Sequence, residues 1–152
     1  MEFIHFLDRI EIDIIRMVEQ AGYSTEENSS ICLLSEKYAG FLKKKEKTIV
    51  ICTDNAKKIT GYTIKKMRTN DTFERTAIHI KKAVRHEAVH VAQECNDGKL
   101  LDIKKKLSIN LSKFKALKVS SKISGEDEKE RQAYILEDKP KLVKKELIKY
   151  CL

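Results

Sequence analysis

The segment that most constrains this chain runs from about Phe73 to Glu94. Its apolar residues Ala77, Ile80, Val84, Ala88 and Val91 recur at helical spacing. Asn96-Asp97-Gly98 then supplies a stop signal. The segment predicts one long helix, and any fold must pack around it. Inside it lies Arg85-His86-Glu87-Ala88-Val89-His90, which contains the pattern HExxH. Helical residues four apart share a face, with Cβ atoms about 6 Å apart. Two imidazoles so placed can reach one tetrahedral zinc ion. Glu87, one residue beyond His86, projects beside the metal and can take a proton from its water. By chance alone such a pattern arises on the order of one time in a hundred in a chain of this composition.

Zinc in a catalytic site needs a third protein ligand and an open position. Among the remaining histidines, His79 lies two turns before His86, too far along the helix to share the ion, and His5 sits near the N-terminus. A carboxylate from a later helix fits better. Glu126, Glu130 and Glu137 lie on one helical stripe. Glu130 is favoured because Ala133, three residues on, lets its helix approach the metal helix closely. Tyr134 follows four residues after Glu130, and its phenol can donate to a developing oxyanion or brace a ligand. The competing explanation for these acids is simple attraction to a helix N-terminus.

His86-Glu87-Ala88-Val89-His90, with Glu130-Arg131-Gln132-Ala133 downstream, resembles the gluzincin class of zinc peptidases. Those proteins carry HExxH on one helix and a glutamate ligand, often in an ExxA setting, on a second. Gln93 extends the first motif to HExxHxxQ, similar to a pattern in small predicted bacterial and phage metallopeptidases. The likeness covers about a quarter of the chain. It implies His86, His90 and Glu130 as zinc ligands, Glu87 as the catalytic base, and a protein or peptide substrate. It also implies a β-strand beside the active helix that pairs with extended peptide, for which Thr48–Thr53 is the candidate. The chain departs from the metzincin pattern, having no glycine and third histidine at the required spacing. It is also shorter than the larger gluzincins, with no room for a second domain.

Composition narrows the setting. A chain of 152 residues suits a single domain with a real core. No stretch is apolar for long enough to span a bilayer, so no membrane partner is expected. The N-terminus lacks the basic region of a signal peptide, and the protein is expected to be cytoplasmic. Cys32, Cys52, Cys95 and Cys151 form no CxxC pair, and in that compartment they are expected to be free thiols. The net charge of +8 comes mostly from lysine clusters such as Lys43-Lys44-Lys45 and Lys104-Lys105-Lys106. These suit a solvated surface, or a face for an acidic protein partner, anionic lipid or nucleic acid. Arginine is sparse, Trp is absent and no helix-turn-helix or RNP signature is present, which speaks against a specific nucleic-acid fold.

Along the chain, residues 3–21 read as an amphipathic helix ended by Gly22, residues 23–30 as a turn, and residues 31–42 as a short helix. Lys47–Thr53 is the clearest strand, with a second near Tyr62–Ile64 after Gly61. Helices follow over 100–119, from about Glu126 to Glu137 and from Pro140 to about Tyr150. Ser120–Gly125 reads as a loop, with Ser124 and Asp127 as a capping box. The expected fold is therefore α+β: one mainly helical domain over 1–152, with a small β-sheet and an HExxH metal-binding helix. The expected activity is that of a zinc-dependent metallohydrolase acting on peptides. Two alternatives differ in class. One is a structural or regulatory zinc protein, or an inactive relative, with a fourth ligand such as Cys95 or Glu126. The other is a basic nucleic-acid-binding module in which HExxH is incidental.

Overall fold

The computed structural model describes residues 1–103 and 127–152. The long helix forms as expected and extends further, from Asn70 to Cys95 (α3). Thr69 caps its N-terminus, accepting from the Thr72 N–H. The other helices are α1 (Arg9–Gln20), α2 (Thr53–Thr60), α4 (Asp127–Leu136) and α5 (Pro140–Cys151). Three short strands, β1 (Ser24–Glu27), β2 (Gly40–Lys43) and β3 (Thr48–Ile51), form one sheet in the order β1-β3-β2. The fold is thus mainly helical α+β. No helix among the described residues is long and apolar enough to cross a membrane.

Helix α3 is the axis of the molecule. It packs against α1, α2, α4, α5, β2 and β3. Its apolar stripe, Ala77, Ile80, Val84, Ala88 and Val91, is buried against Phe3, Ile14, Val18, Ile49, Ile51, Leu136 and Leu147. Strand β3 is buried at all four positions. Ile49 and Ile51 enter the main core, and Val50 packs on the other face with Cys32, Cys52, Ile31 and Phe41. β1 runs parallel to β3 and β2 antiparallel to it, with Gly40 opposite Ile51 and Lys43 opposite Thr48.

Several expectations are corrected. The first helix is two pieces, a 3-10 turn over Glu2–Phe6 and then α1. The break falls at Asp8, whose N–H donates to Glu11 Oε2 in a local cap. The polar stretch after Gly22 contains β1. Residues 31–42 are a 3-10 turn (Ser30–Leu34) followed by β2, where a helix was expected. Residues 62–64 form no strand; they lie between α2 and a 3-10 turn over Lys65–Met67. Residues 100–103 are irregular. The remainder of the expected helix 100–119, the loop 120–125, the Ser124 cap and Glu126 lie outside the described residues. The expected peptide-pairing strand, Thr48–Thr53, is the centre of the sheet, and its last residue opens α2.

The cysteines are also corrected. They form two disulfides, Cys32–Cys52 and Cys95–Cys151. Sequence separations of 20 and 56 residues concealed pairs that folding brings to Cα–Cα distances of 5.6 and 5.2 Å. The first joins the Ser30–Leu34 turn to the start of α2. The second joins the last residues of α3 and α5.

Candidate metal centre

His86 and His90 lie one turn apart on the buried side of α3, with ring centroids 4.9 Å apart. Glu130, in the first turn of α4, faces both. Its Oε2 is 3.1 Å from His86 Nε2 and its Oε1 is 3.1 Å from His90 Nε2. All three residues are buried, and their ligand atoms lie within 4.8 Å of one another. Ala133 is fully buried where α4 meets α3. The small side chain that favoured Glu130 in the sequence thus sits at the helix contact.

The second nitrogen of each imidazole is tied back. His86 Nδ1 is 2.9 Å from Glu137 Oε2, so Nδ1 carries a proton and donates to the carboxylate. His90 Nδ1 is 2.8 Å from Gln93 Oε1. The Gln93 amide is oriented in turn, because its Nε2 donates to the Lys129 carbonyl and to Gln132 Oε1. Gln132 Oε1 also accepts from the Leu101 N–H. Both histidines therefore direct Nε2 at Glu130, the arrangement that outer partners impose on metal-ligating imidazoles. His90 Nε2 is buried and, although close to Glu130 Oε1, has no aligned hydrogen-bond partner.

The donor set suits zinc. Four ligands at bond lengths of about 2.1 Å in a tetrahedron stand about 3.4 Å apart, close to the separations between Glu130 and the two Nε2 atoms. Two imidazoles and one carboxylate are a common catalytic donor set. Among the described residues no fourth ligand joins the group. Cys95, weighed as a fourth ligand, is committed to its disulfide. Of the three stripe carboxylates, Glu130 occupies the ligand position and Glu137 braces His86. His79 is half-buried and its pKa is lowered, mainly by burial and then by Lys82. It is not part of the ligand group, and His5 is exposed on the Glu2–Phe6 turn.

Packing and charge shape the rest of the site. Burial opposes charge on His86, but the carboxylates of Glu130 and Glu137 outweigh it and push its pKa up to about 10 in the metal-free protein. Burial likewise opposes charge on Glu130, yet the hydrogen bond of His86 and the adjacent His86 and His90 rings hold it well below the usual carboxylate range. Glu87 is buried and lies one residue beyond His86. Burial raises its pKa to about 7, against the pull of His86 and His90. A buried carboxylate titrating near neutrality suits a general base.

Residues that sequence reasoning missed complete the surroundings. A Cβ on Gly40 would stand 3.1 Å from Glu87 Cγ and Oε1 and 3.3 Å from the Val50 carbonyl, so glycine lets β2 pass closely over the base. Tyr38 is half-buried, and its pKa is raised by burial and then by Glu87, Glu130 and Tyr134, which places its phenol within electrostatic range of the site. The Asn55 amide fixes the Tyr38 segment by donating to the carbonyls of Cys32, Ser35 and Tyr38. Tyr134, whose phenol was expected to donate to an oxyanion or to brace a ligand, packs its ring on His86 with centroids 4.4 Å apart. Gly40 and Tyr38 carried no sequence signal, because strand pairing and a distant side chain bring them to the site.

A family model described as Domain of unknown function (DUF8637) matches residues 3–152. No curated protein and no solved structure matches the chain.

Proposed function

For this chain, which belongs to the DUF8637 family, we propose a zinc-dependent hydrolase that cleaves peptide bonds. One observation carries the reading. Two histidines point Nε2 at a shared carboxylate while their Nδ1 atoms are held by Glu137 and Gln93. Glu87, a buried acid with a pKa near neutrality, lies alongside.

His86, His90 and Glu130 would hold the zinc, which would supply a Lewis acid and lower the pKa of water towards neutrality. The chain's own groups do the remainder. Glu87 accepts the proton of the attacking water and returns it to the leaving nitrogen. Tyr134 keeps the His86 ring in place, and Glu137 keeps its Nδ1 protonated. Peptide as substrate rests on the resemblance to gluzincins and on the sheet. β2 is an edge strand that crosses Glu87 at Gly40, and an extended peptide pairing with that edge comes beside the base. The expected cytoplasmic setting conflicts with the two disulfides, which persist in oxidising compartments, and the redox state of the cysteines decides between them.

The decisive experiment combines metal analysis with turnover. Purified protein is expected to hold one equivalent of zinc, lost in His86→Ala. Glu87→Gln is expected to keep the zinc and lose hydrolysis of a peptide library. Normal turnover by Glu87→Gln refutes the mechanism. Zinc binding by wild-type protein with no cleavage of any library member favours a structural zinc protein instead.

A further inference from the structure

A second feature lies far from the metal centre, in the segment between α2 and α3. Residues 57–68, Lys-Lys-Ile-Thr-Gly-Tyr-Thr-Ile-Lys-Lys-Met-Arg, contain five cations and no acid. The end of α2 turns at Gly61, which has φ +77°. A 3-10 turn over Lys65–Met67 follows, and Met67 folds back so that its Cε is 3.1 Å from where a Cβ on Gly61 would stand. Thr72 Oγ1 donates to the Met67 carbonyl and ties the turn to α3.

Two of the five cations are matched: Lys57 pairs with Glu2 and Lys58 with Glu36. Lys65, Lys66 and Arg68 are exposed and have no carboxylate partner among the described residues. They also precede the positive end of α3, where the helix dipole disfavours cations. Arg68 Nε donates to the Tyr62 carbonyl and so helps to hold the turn, whereas Lys65 and Lys66 make no side-chain hydrogen bond or ion pair among the described residues. Ile64 and Met67 alternate with them, exposed by 46 and 40%, and Ile59, exposed by 47%, lies on α2 just before the turn. Scattered exposed apolar residues are ordinary. Two of them among unpaired lysines on one short turn, with a third on the last turn of the preceding helix, make this segment amphiphilic.

We propose that this turn docks on an anionic lipid surface, with Lys65, Lys66 and Arg68 at the headgroups and Ile59, Ile64 and Met67 in the interface. Charge complementarity selects the partner. Base stacking on nucleic acid needs a free aromatic face. The one aromatic here, Tyr62, is packed edge-on to Phe6 and Phe73, with Lys57 and Arg68 beside its ring. An acidic protein would use the cations but has no evident need of the exposed Ile64 and the partly exposed Met67. Peripheral docking requires no spanning helix, so it is compatible with the helices described. His86 lies sixteen residues into α3 from Asn70, about 24 Å along the axis.

The test is co-sedimentation of the full chain with vesicles of phosphatidylserine and phosphatidylcholine, against phosphatidylcholine alone. Binding is expected only to the anionic vesicles and falls as salt is raised. Each cation near such a surface contributes about a factor of five, so Lys65→Gln, Lys66→Gln and Arg68→Gln together lower partitioning about a hundredfold. These residues are exposed, and circular dichroism checks that the variant folds. Ile64→Ser with Met67→Ser is expected to weaken vesicle binding at unchanged charge. Equal binding to both vesicles, no binding to either, or an unaffected triple variant overturns the proposal. So does patch-dependent binding to polyglutamate or duplex DNA in place of vesicles. Loss of zinc or of peptidase activity does not bear on it.

Discussion

At the proposed zinc site a metal ion and a proton would compete for His86, and that competition predicts a measurable pH dependence. In the metal-free protein the His86 imidazolium is held between Glu130, at 3.1 Å, and Glu137, at 2.9 Å. These carboxylates raise its pKa to about 10. A metal takes only the deprotonated Nε2. At pH 7 zinc must therefore displace a proton held some three pH units above ambient, which weakens apparent affinity about a thousandfold relative to pH 10. Between pH 7 and pH 9 the apparent Kd is expected to fall about tenfold per unit, or about a hundredfold in all. Near pH 7 the dependence steepens, because Glu87, with a pKa of about 7, also loses its proton beside the bound cation. The assay is competition with a chromophoric zinc chelator at buffered free zinc. Calorimetry in buffers of different ionisation heat counts the protons released: about one at pH 8 and more than one at pH 7. Glu137→Gln removes one of the two carboxylates and is expected to lower the pH at which the slope levels off. An affinity that is flat from pH 7 to pH 9, or uptake with no proton release, refutes the assignment of His86 as a ligand braced by two acids.

The same groups predict how the metal-free fold responds to pH. His86 is raised from 6.5 and Glu87 from 4.5, so the native state holds extra protons. Their stabilising effect is full below the unfolded pKa values and is lost as pH rises through the folded ones. Thermal melts of chelator-treated protein should show stability falling from pH 6.5 towards pH 10, by up to roughly 1.4 kcal/mol per unit from His86. The zinc-loaded protein should lack this slope, and an identical slope in both forms refutes the linkage. Gly40→Val crowds Glu87 at 3.1 Å, so kcat should drop at least tenfold while zinc stoichiometry is kept. Unchanged kcat would remove Gly40 from the site. Gln93→Ala frees His90 Nδ1 and should weaken zinc 10- to 100-fold, read by the same chelator competition. Thiol titration of protein isolated without reductant should find no free thiols if Cys32–Cys52 and Cys95–Cys151 persist in the cell. Four free thiols would place the chain in a reducing compartment.

What the sequence revealed follows from how local each signal is. His86, Glu87 and His90 lie within five residues of one helix, and helical periodicity alone fixes their common face. Glu130 and Ala133 are local in the same way on α4. Glu137 shares the Glu130 stripe, so periodicity offered both as ligands. Only the way α4 lies across α3 puts Glu130 on the Nε2 atoms and Glu137 on Nδ1. β3 was legible because Thr-Ile-Val-Ile is β-branched and buried on both faces. β1 was not, because Ser-Thr-Glu-Glu is strand only through its parallel pairing with β3. Residues 31–42 failed for a related reason. Their apolar residues fall in two groups around a polar middle, yet Leu33 is 87% exposed and Leu42 is a strand residue opposite Ile49. That error hid β2, and with it Gly40 and the approach to Glu87. The residues that could hold a metal were thus readable from two helices. The wall against which a substrate would lie comes from a strand whose existence depends on tertiary contacts, and that wall is where specificity would be set.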